Sequence, residues 1–193
     1  MLAGYEKRKA EYENRIREWL CKENLEKFKG KSFDEITAEL GNDWLPIGEV
    51  PVEAMEFFGV SDPRVYSGQA YFIHHAVARH SNLTVEDYIN MIETLSDYDN
   101  IYIDNNSEDV RLVFSKQDGE KYSRCVIGKN LVADKLLIYI SYYKPDRNKD
   151  SKKEILASRV VGTHPSGLIQ EDSAAVSISS LRDASIQTVS SEE

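Results

Sequence analysis

The chain has 193 residues, 41% hydrophobic and 30% charged, which is typical of a globular protein with one domain and appendages or two small domains. The formal net charge of −9 argues against binding nucleic acid by non-specific phosphate neutralisation, but it is compatible with a small basic cleft. The sequence has no apolar run that could span a bilayer or act as a signal peptide, and Cys21 and Cys125 form no CxxC motif. We therefore expect a protein of a reducing compartment, the cytoplasm, with no membrane partner.

Residues 1–45 are predicted to form a helical arm. Apolar side chains at spacings of three, four and seven predict an amphipathic helix over residues 3–29, which Gly30 ends. Ser32, with Glu35 three residues later, is a capping box that begins a second helix. This arm either docks a partner or packs as a helical hairpin on the main domain.

Residues 46–64 are predicted to be a linker, because proline and glycine recur there around one short helical segment. The main domain is expected over residues 65–145 and begins with two helices. The first covers VYSGQAYFIHHAVARHS, with Ser67 as its N-cap. The second covers LTVEDYINMIETLSDY and is capped by Thr84.

Four short runs rich in β-branched and aromatic residues follow: IYID, DVRLVFSK, KYSRCVIGK and KLLIYISYYK. The short turn segments between them favour an antiparallel meander. The predicted fold class is therefore α+β, with N-terminal helices followed by a four-stranded antiparallel meander sheet. Residues 146–193 are predicted to form a charged connector and a Ser-rich tail, and for the tail we expect weak helix or little order.

The first helix of the main domain contains three of the four histidines. When the 2′-hydroxyl of RNA attacks the neighbouring phosphate, the reaction needs a base that removes the hydroxyl proton and an acid that protonates the leaving 5′-oxygen. It also needs cations that stabilise the negative charge of the phosphorane. His75, His80 and Arg79 can supply these groups without a metal, since histidine exchanges protons near neutral pH. His75 and Arg79 share a helix face, whereas His75 and His80 lie about 140 degrees apart. The two rings converge only if the helix ends near His80.

Two other uses of these histidines stay open. Zinc-binding pairs on one helix occupy spacings that place both rings on the same face, and His75 and His80 do not. His164 lies in the tail, and no third ligand has a suitable spacing, so we predict no metal and no cofactor. The histidines could also be structural residues at a partly buried helix end.

Candidate substrate-binding residues lie on the predicted strands. The hydroxyl of Ser141, in YISYYK, can donate to a phosphate, and the neighbouring Tyr142 and Tyr143 can stack on nucleobases. The presence of Ser141, Tyr142 and Tyr143 is also explained without a role in binding, because YISYY has the composition of an ordinary β-strand. Basic residues of the meander can line a cleft, although solvent-facing charge explains them too: Arg111, Lys116, Arg124 and Lys129.

The order of these parts resembles the phage-associated branch of the barnase–EndoU–colicin–RelE-like (BECR-fold) nucleases, which occur in phage polyvalent proteins. A helix carries H-x-x-x-R-H (His75, Arg79 and His80). A second helix, DYINMIETL, precedes DYDNIYID, and a meander with RLVFSK leads to a closing I-S-Y-Y strand. The resemblance covers about Ser67 to Lys144. Ala76 stands where the family usually has Ile, and DYDN replaces its usual proline-containing turn.

The resemblance implies a metal-independent endoribonuclease of phage or mobile-element origin that cleaves host RNA, with tRNA as a candidate substrate. His75, Arg79 and His80 match the family's helix motif and Ser141 its strand Ser or Thr, so these four are the expected catalytic residues. Arg111, Lys129, Tyr142 and Tyr143 are the expected substrate-binding residues.

The implied partners are RNA and an immunity or antitoxin protein, in a bacterial host that the protein would enter with a phage particle. The alternative is a non-catalytic phage structural or protein-interaction module on the same fold. The two hypotheses predict different positions for these side chains. Catalysis requires His75, His80 or Arg79 to lie within about 10 Å of Ser141 in one open cleft.

Overall fold

The computed structural model describes residues 2–41, 43–105, 109–119, 121–130, 136–145 and 152–158. The described part contains six helices: α1 (Leu2–Trp19), α2 (Lys22–Phe28), α3 (Phe33–Leu40), α4 (Val52–Phe58), α5 (Gln69–Arg79) and α6 (Val85–Ser96). It also contains seven strands: β1 (Trp44–Glu49), β2 (Arg64–Gly68), β3 (Asn100–Asp104), β4 (Arg111–Asp118), β5 (Lys121–Lys129), β6 (Leu137–Tyr143) and β7 (Glu154–Ser158). Met1–Val160 forms one compact unit. The predicted Ser-rich tail, including His164, lies outside the described residues.

The strands form a mixed sheet in the order β1-β2-β6-β5-β4-β3-β7. Neighbouring strands are antiparallel except β2 and β6, which are parallel. The prediction of an α+β protein with N-terminal helices is confirmed, but the prediction of a four-stranded antiparallel meander is wrong. The four predicted runs became β3 to β6, and β1, β2 and β7 extend the sheet beyond them on both sides.

The added strands lie in segments whose local sequence does not favour a strand. β1 has the sequence WLPIGE, and its Pro and Gly predicted a linker over residues 46–64. β2 covers residues predicted to begin a helix, yet Val65 and Tyr66 pair with β1 on one side and with β6 on the other. Pairing on both sides satisfies the backbone groups of β2, which outweighs a local helical pattern. Ser67 is therefore a buried strand residue, and Gly68 is the N-cap of α5.

The N-terminal helices pack on the sheet rather than extending from it. The predicted helix over residues 3–29 is divided into α1 and α2 at Leu20 and Cys21. The apolar stripe of α1 and the residue directly after the helix belong to the same buried core as α5, α6 and the covered face of the sheet: Tyr12, Ile16, Trp19 and Leu20. The Tyr12 hydroxyl also donates to Glu49 Oε1 of β1 over 2.7 Å.

Two short-range predictions of helix ends are confirmed. The side chain of Ser32 caps α3 and Glu35 completes a capping box. Thr84 and Asp87 form the equivalent box at the start of α6. These boxes are visible in sequence because all the groups involved lie within four residues.

The two faces of the sheet differ. Leu112 and Phe114 of β4 point into the main core under the helices. Val113, between them, joins a small cluster on the other face with Tyr102 and Val126, against which Ile140 and Tyr143 pack. Within the described ranges, no helix combines the length and the apolar character needed to cross a membrane.

Candidate active site

The site lies where β2 leaves the sheet. β2 pairs with β6 only at Val65 and Tyr66, and after Gly68 the chain turns into α5. The rest of β6 therefore has α5 beside it. The Tyr71 hydroxyl of α5 donates to the carbonyl oxygen of Ile140 over 2.7 Å, which satisfies a backbone acceptor at this edge.

An irregularity in β6 aims Ser141 at this helix. β5 pairs Val126 with Ser141 but the next residue, Ile127, with Tyr139, so Ile140 is an extra residue in β6. Such bulges bend a strand and re-aim its side chains, and they are frequent beside active sites. Here the bulge changes which side chains enter the core, since Tyr139 and Tyr142 are both buried there.

His75, His80 and Ser141 converge at this position. His75 Nε2 lies 3.1 Å from Ser141 Oγ, and His80 Nε2 lies 3.4 Å from the same oxygen. The two imidazole centroids are 4.9 Å apart. The convergence is possible because α5 ends at Arg79 and His80 leaves the helix with φ −133° and ψ 42°. Since a hydroxyl has one proton, Ser141 can donate to one ring while it accepts from the other.

The environment keeps both imidazoles neutral near pH 7. Burial lowers the pKa of His75 to about 4, and the positive charges of His80, Arg79 and His74 act in the same direction. Burial, followed by the charge of Arg79, also lowers the pKa of His80. Among the described residues, every charge that shifts either pKa is cationic. The site is therefore suited to an anion, although the whole chain is acidic.

Two guanidinium groups lie near the histidine pair. Arg79 is exposed and makes no hydrogen bond or ion pair with any other described side chain. The Nε atom of Arg111 is buried with no hydrogen-bond partner in the described part of the chain. Burial raises the pKa of Tyr71, whereas the charges of Arg79 and Arg111 act against that rise. Both cations therefore influence the same hydroxyl beside His75.

Aromatic rings hold the imidazoles in place. Tyr71 stacks on His75 at 5.7 Å with an interplanar angle of 23°. Tyr139 meets His75 edge-on at 5.9 Å. Tyr143 stacks on His80 at 6.4 Å with an angle of 15°. The predicted site residues do not include Tyr71, although its spacing of four from His75 places both rings on one face of α5.

Two predicted substrate-binding residues lie elsewhere. Tyr142 is fully buried, its hydroxyl donates to Ser123 Oγ over 3.1 Å, and burial raises its pKa to about 12. A side chain in the core cannot stack on a nucleobase. Lys129 donates to the carbonyl oxygen of Phe58 over 2.7 Å at the other end of β5. Of the four, Tyr143 stacks on His80, and the charge of Arg111 acts on Tyr71, the ring that stacks on His75.

The other basic residues of the meander are also engaged. Lys116 pairs with Asp97 at 2.8 Å, and Arg124 is fully buried beside Ser115. A separate cavity of about 190 Å³ is lined by residues of α2, α5, α6 and the loop before α6, together with Leu20 and Lys29, which follow the ends of α1 and α2. None of the predicted site residues lines this cavity, so we place the site at the histidine pair.

The described residues contain no group of three or more His, Cys, Asp or Glu side chains that could hold a metal ion. Comparisons of the chain with protein-family models, with curated proteins and with solved structures find no match. Function must therefore be inferred from the chemistry of the site.

Proposed function

We propose that the chain is a metal-independent endoribonuclease that uses His75 and His80 as its acid–base pair. The observation that carries this proposal is the approach of both Nε2 atoms to one hydroxyl, at 3.1 and 3.4 Å. A phosphate oxygen that accepts a hydrogen bond from Ser141 would lie within reach of both imidazoles. Cleavage of RNA by its 2′-hydroxyl requires this arrangement of two proton-exchanging groups around one phosphate.

The unequal burial of the two rings supports a division of their roles. Burial lowers the pKa of His75 to about 4, so on this proposal its neutral ring removes the proton of the 2′-hydroxyl as the 2′-oxygen attacks phosphorus. His80 is less buried, and a bound phosphate anion would favour its charged form. It then donates a proton to the 5′-oxygen as the P–O5′ bond breaks. The products are a 2′,3′-cyclic phosphate and a free 5′-hydroxyl.

The remaining polar groups bind the phosphate. Arg79 can offer two N–H donors to two phosphate oxygens at once, which is the geometry that guanidinium groups favour. Ser141 donates from the sheet on the opposite side. These contacts stabilise the extra negative charge of the phosphorane, which is a major contribution to catalysis in sites of this kind.

The resemblance to the BECR-fold nucleases supports the same chemistry, because its helix motif supplies His75, Arg79 and His80. On this proposal the protein originates from a phage or mobile element and acts on host RNA, with tRNA a candidate. An immunity or antitoxin protein that covers the site would be its natural protein partner.

Cleavage of total RNA by the purified protein is expected to continue in excess EDTA and to leave 2′,3′-cyclic phosphate ends. The reason is that two histidines and a guanidinium supply all proton transfers and charge stabilisation. Product ends are read by their resistance to phosphatase before mild acid treatment and by mass. Cleavage that appears only with added zinc or magnesium would contradict the mechanism. Absence of cleavage by a folded protein would favour the non-catalytic interaction module.

The pH profile of kcat/KM is expected to be bell-shaped with its optimum between about pH 4 and 6.5. The rate rises with pH as His75 loses its proton near its pKa of about 4. It falls again as His80 loses its proton, at a pKa below the usual 6.5, and kcat/KM reports these groups in the free enzyme. An optimum above pH 7 would contradict the assigned roles.

Folding must be checked at each pH. The neutral form of His75 is favoured in the folded chain, so its contribution to stability is complete above about 6.5 and is lost as the pH falls toward 4. Circular dichroism separates this loss of structure from the titration of the catalytic base. Only the pH range in which the signal is constant is used for the profile.

A further inference from the structure

Phe33 lies at one end of a row of rings that contains the histidine pair. It is the first residue of α3 and keeps 37% of its surface exposed. Its ring meets Tyr71 edge-on at 6.4 Å and lies 5.9 Å from His74. Tyr71 stacks on His75, and His80 stacks on Tyr143. We call these five rings the aromatic row: Phe33, Tyr71, His75, His80 and Tyr143.

The contact of Phe33 with the aromatic row distinguishes it from the other exposed apolar side chains. The described residues include other large exposed hydrophobics, such as Val52 at 58% and Ile155 at 53%. Phe33 is the one among them with a ring contact to the aromatic row. An exposed aromatic face beside an anion-binding centre is the arrangement by which proteins bind single-stranded nucleic acids, with cations on phosphates and rings on bases.

We propose that Phe33 stacks on a nucleobase next to the scissile nucleotide, and that the substrate is therefore a single-stranded segment of RNA. This inference rests on the proposed ribonuclease function. Phe33 is connected to His75 through one ring, Tyr71, whose centroid lies 6.4 Å from that of Phe33 and 5.7 Å from that of His75. A base in a duplex is already stacked on both faces and cannot offer one to Phe33, whereas an unpaired base can. The guanidinium of Arg79 binds the phosphate while Phe33 positions the base.

Binding is tested with a fluorescent single-stranded RNA of mixed sequence in which every ribose is 2′-O-methylated, so that the attacking hydroxyl is blocked. Phe33→Ala is expected to weaken binding about five- to hundredfold, the range seen when one base-stacking ring is removed. Phe33→Tyr keeps the ring and should bind as the unmodified protein does. Phe33→Leu keeps an apolar contact with Tyr71 but has no flat face, so it should weaken binding as Ala does.

Val52→Ala is the matched control, because Val52 is also an exposed apolar residue at the first position of a helix. It should leave the affinity unchanged. Equal affinities of Phe33→Ala, Phe33→Leu and Val52→Ala would overturn the stacking site. The kcat/KM for cleavable RNA provides the second measurement, with the same sequence compared as a single strand and in a duplex. Cleavage of the duplex as fast as the single strand would also overturn it.

The two proposals fail in different ways. If RNA is cleaved but Phe33→Ala changes neither KM nor affinity, the ribonuclease stands and the base site is wrong. If the chain cleaves no RNA but loses affinity for the methylated strand on Phe33→Ala, the base site stands and catalysis is wrong. If it neither cleaves nor binds single-stranded RNA, both proposals are wrong.

Discussion

His75→Ala and His80→Ala are each expected to lower kcat for RNA cleavage by about a hundred- to ten-thousandfold, the usual contribution of one acid–base group. Both rings contact Ser141 Oγ, and the proposed mechanism gives each a different proton transfer, so neither can replace the other. Because the two act as one unit, the double variant should lose little more than the more damaging single variant. Initial rates at saturating RNA, measured at the optimum pH of each variant, test this.

His74→Ala is the control for these variants. His74 belongs to the same helix but contacts Phe33 and has no contact with Ser141 among the described residues. It should therefore retain nearly full kcat. Because His75 is 7% exposed, the thermal midpoint of each variant must be compared to separate lost folding from lost catalysis. If His74→Ala is as damaging as the other two, the assignment of residues on α5 is wrong. If none of the three matters in a folded protein, the site is not catalytic.

The convergence of the histidines could be predicted because its cause is local. The predicted helix ends at Ser81, and α5 ends two residues earlier at Arg79. In a continuous helix each residue turns by about 100 degrees, so His75 and His80 would lie about 140 degrees apart. Because His80 leaves the helix, its ring is not held at that separation. Ser141 Oγ lies 3.1 Å from His75 Nε2 and 3.4 Å from His80 Nε2, while its predicted role in the reaction stays a prediction.

The surroundings of the site could not be predicted, because their causes are distant in sequence. β2 is a strand only because β1 and β6 lie on either side of it, and β6 is about seventy residues further along the chain. The bulge at Ile140 has no local signal, yet it decides that Tyr142 is buried while Ser141 faces the helix. A regular strand alternates its side chains between the two faces of the sheet, so the sequence YISYYK alone does not show where a bulge changes which side chains are buried.

The same reasoning explains why the acidic composition was a poor guide to the site. Net charge sums over the whole surface, whereas the pKa of each histidine depends on burial and on the few charges nearby. Those nearby charges are cationic in the described part of the chain. Surface carboxylates such as Glu86 and Glu39 are paired with Arg17 and Lys27, and neither carboxylate is among the groups that shift the pKa of His75 or His80.

Arg79→Ala is expected to lower kcat/KM by about a hundred- to thousandfold, the typical loss when one donor to a developing oxyanion is removed. Arg79 is exposed at the end of α5, next in sequence to His80, and its charge acts on both imidazoles. Arg79→Lys keeps the charge but loses the two-pronged geometry, so its loss should be smaller. Steady-state kinetics of both variants on single-stranded RNA measure the difference.

The pH profile distinguishes a phosphate-binding arginine near the histidines from one that only supports the fold. The charge of Arg79 lowers the pKa of His75 and of His80, so removing it should raise both and move the whole bell toward higher pH. Arg79→Lys should leave the bell close to its original position. Arg17 is the matched control, since it is also a basic residue in the last turn of a helix and is half exposed. Arg17→Ala should change neither the rate nor the profile. An unshifted bell in Arg79→Ala, or an equal loss in Arg17→Ala, would show that Arg79 does not act on the reacting phosphate.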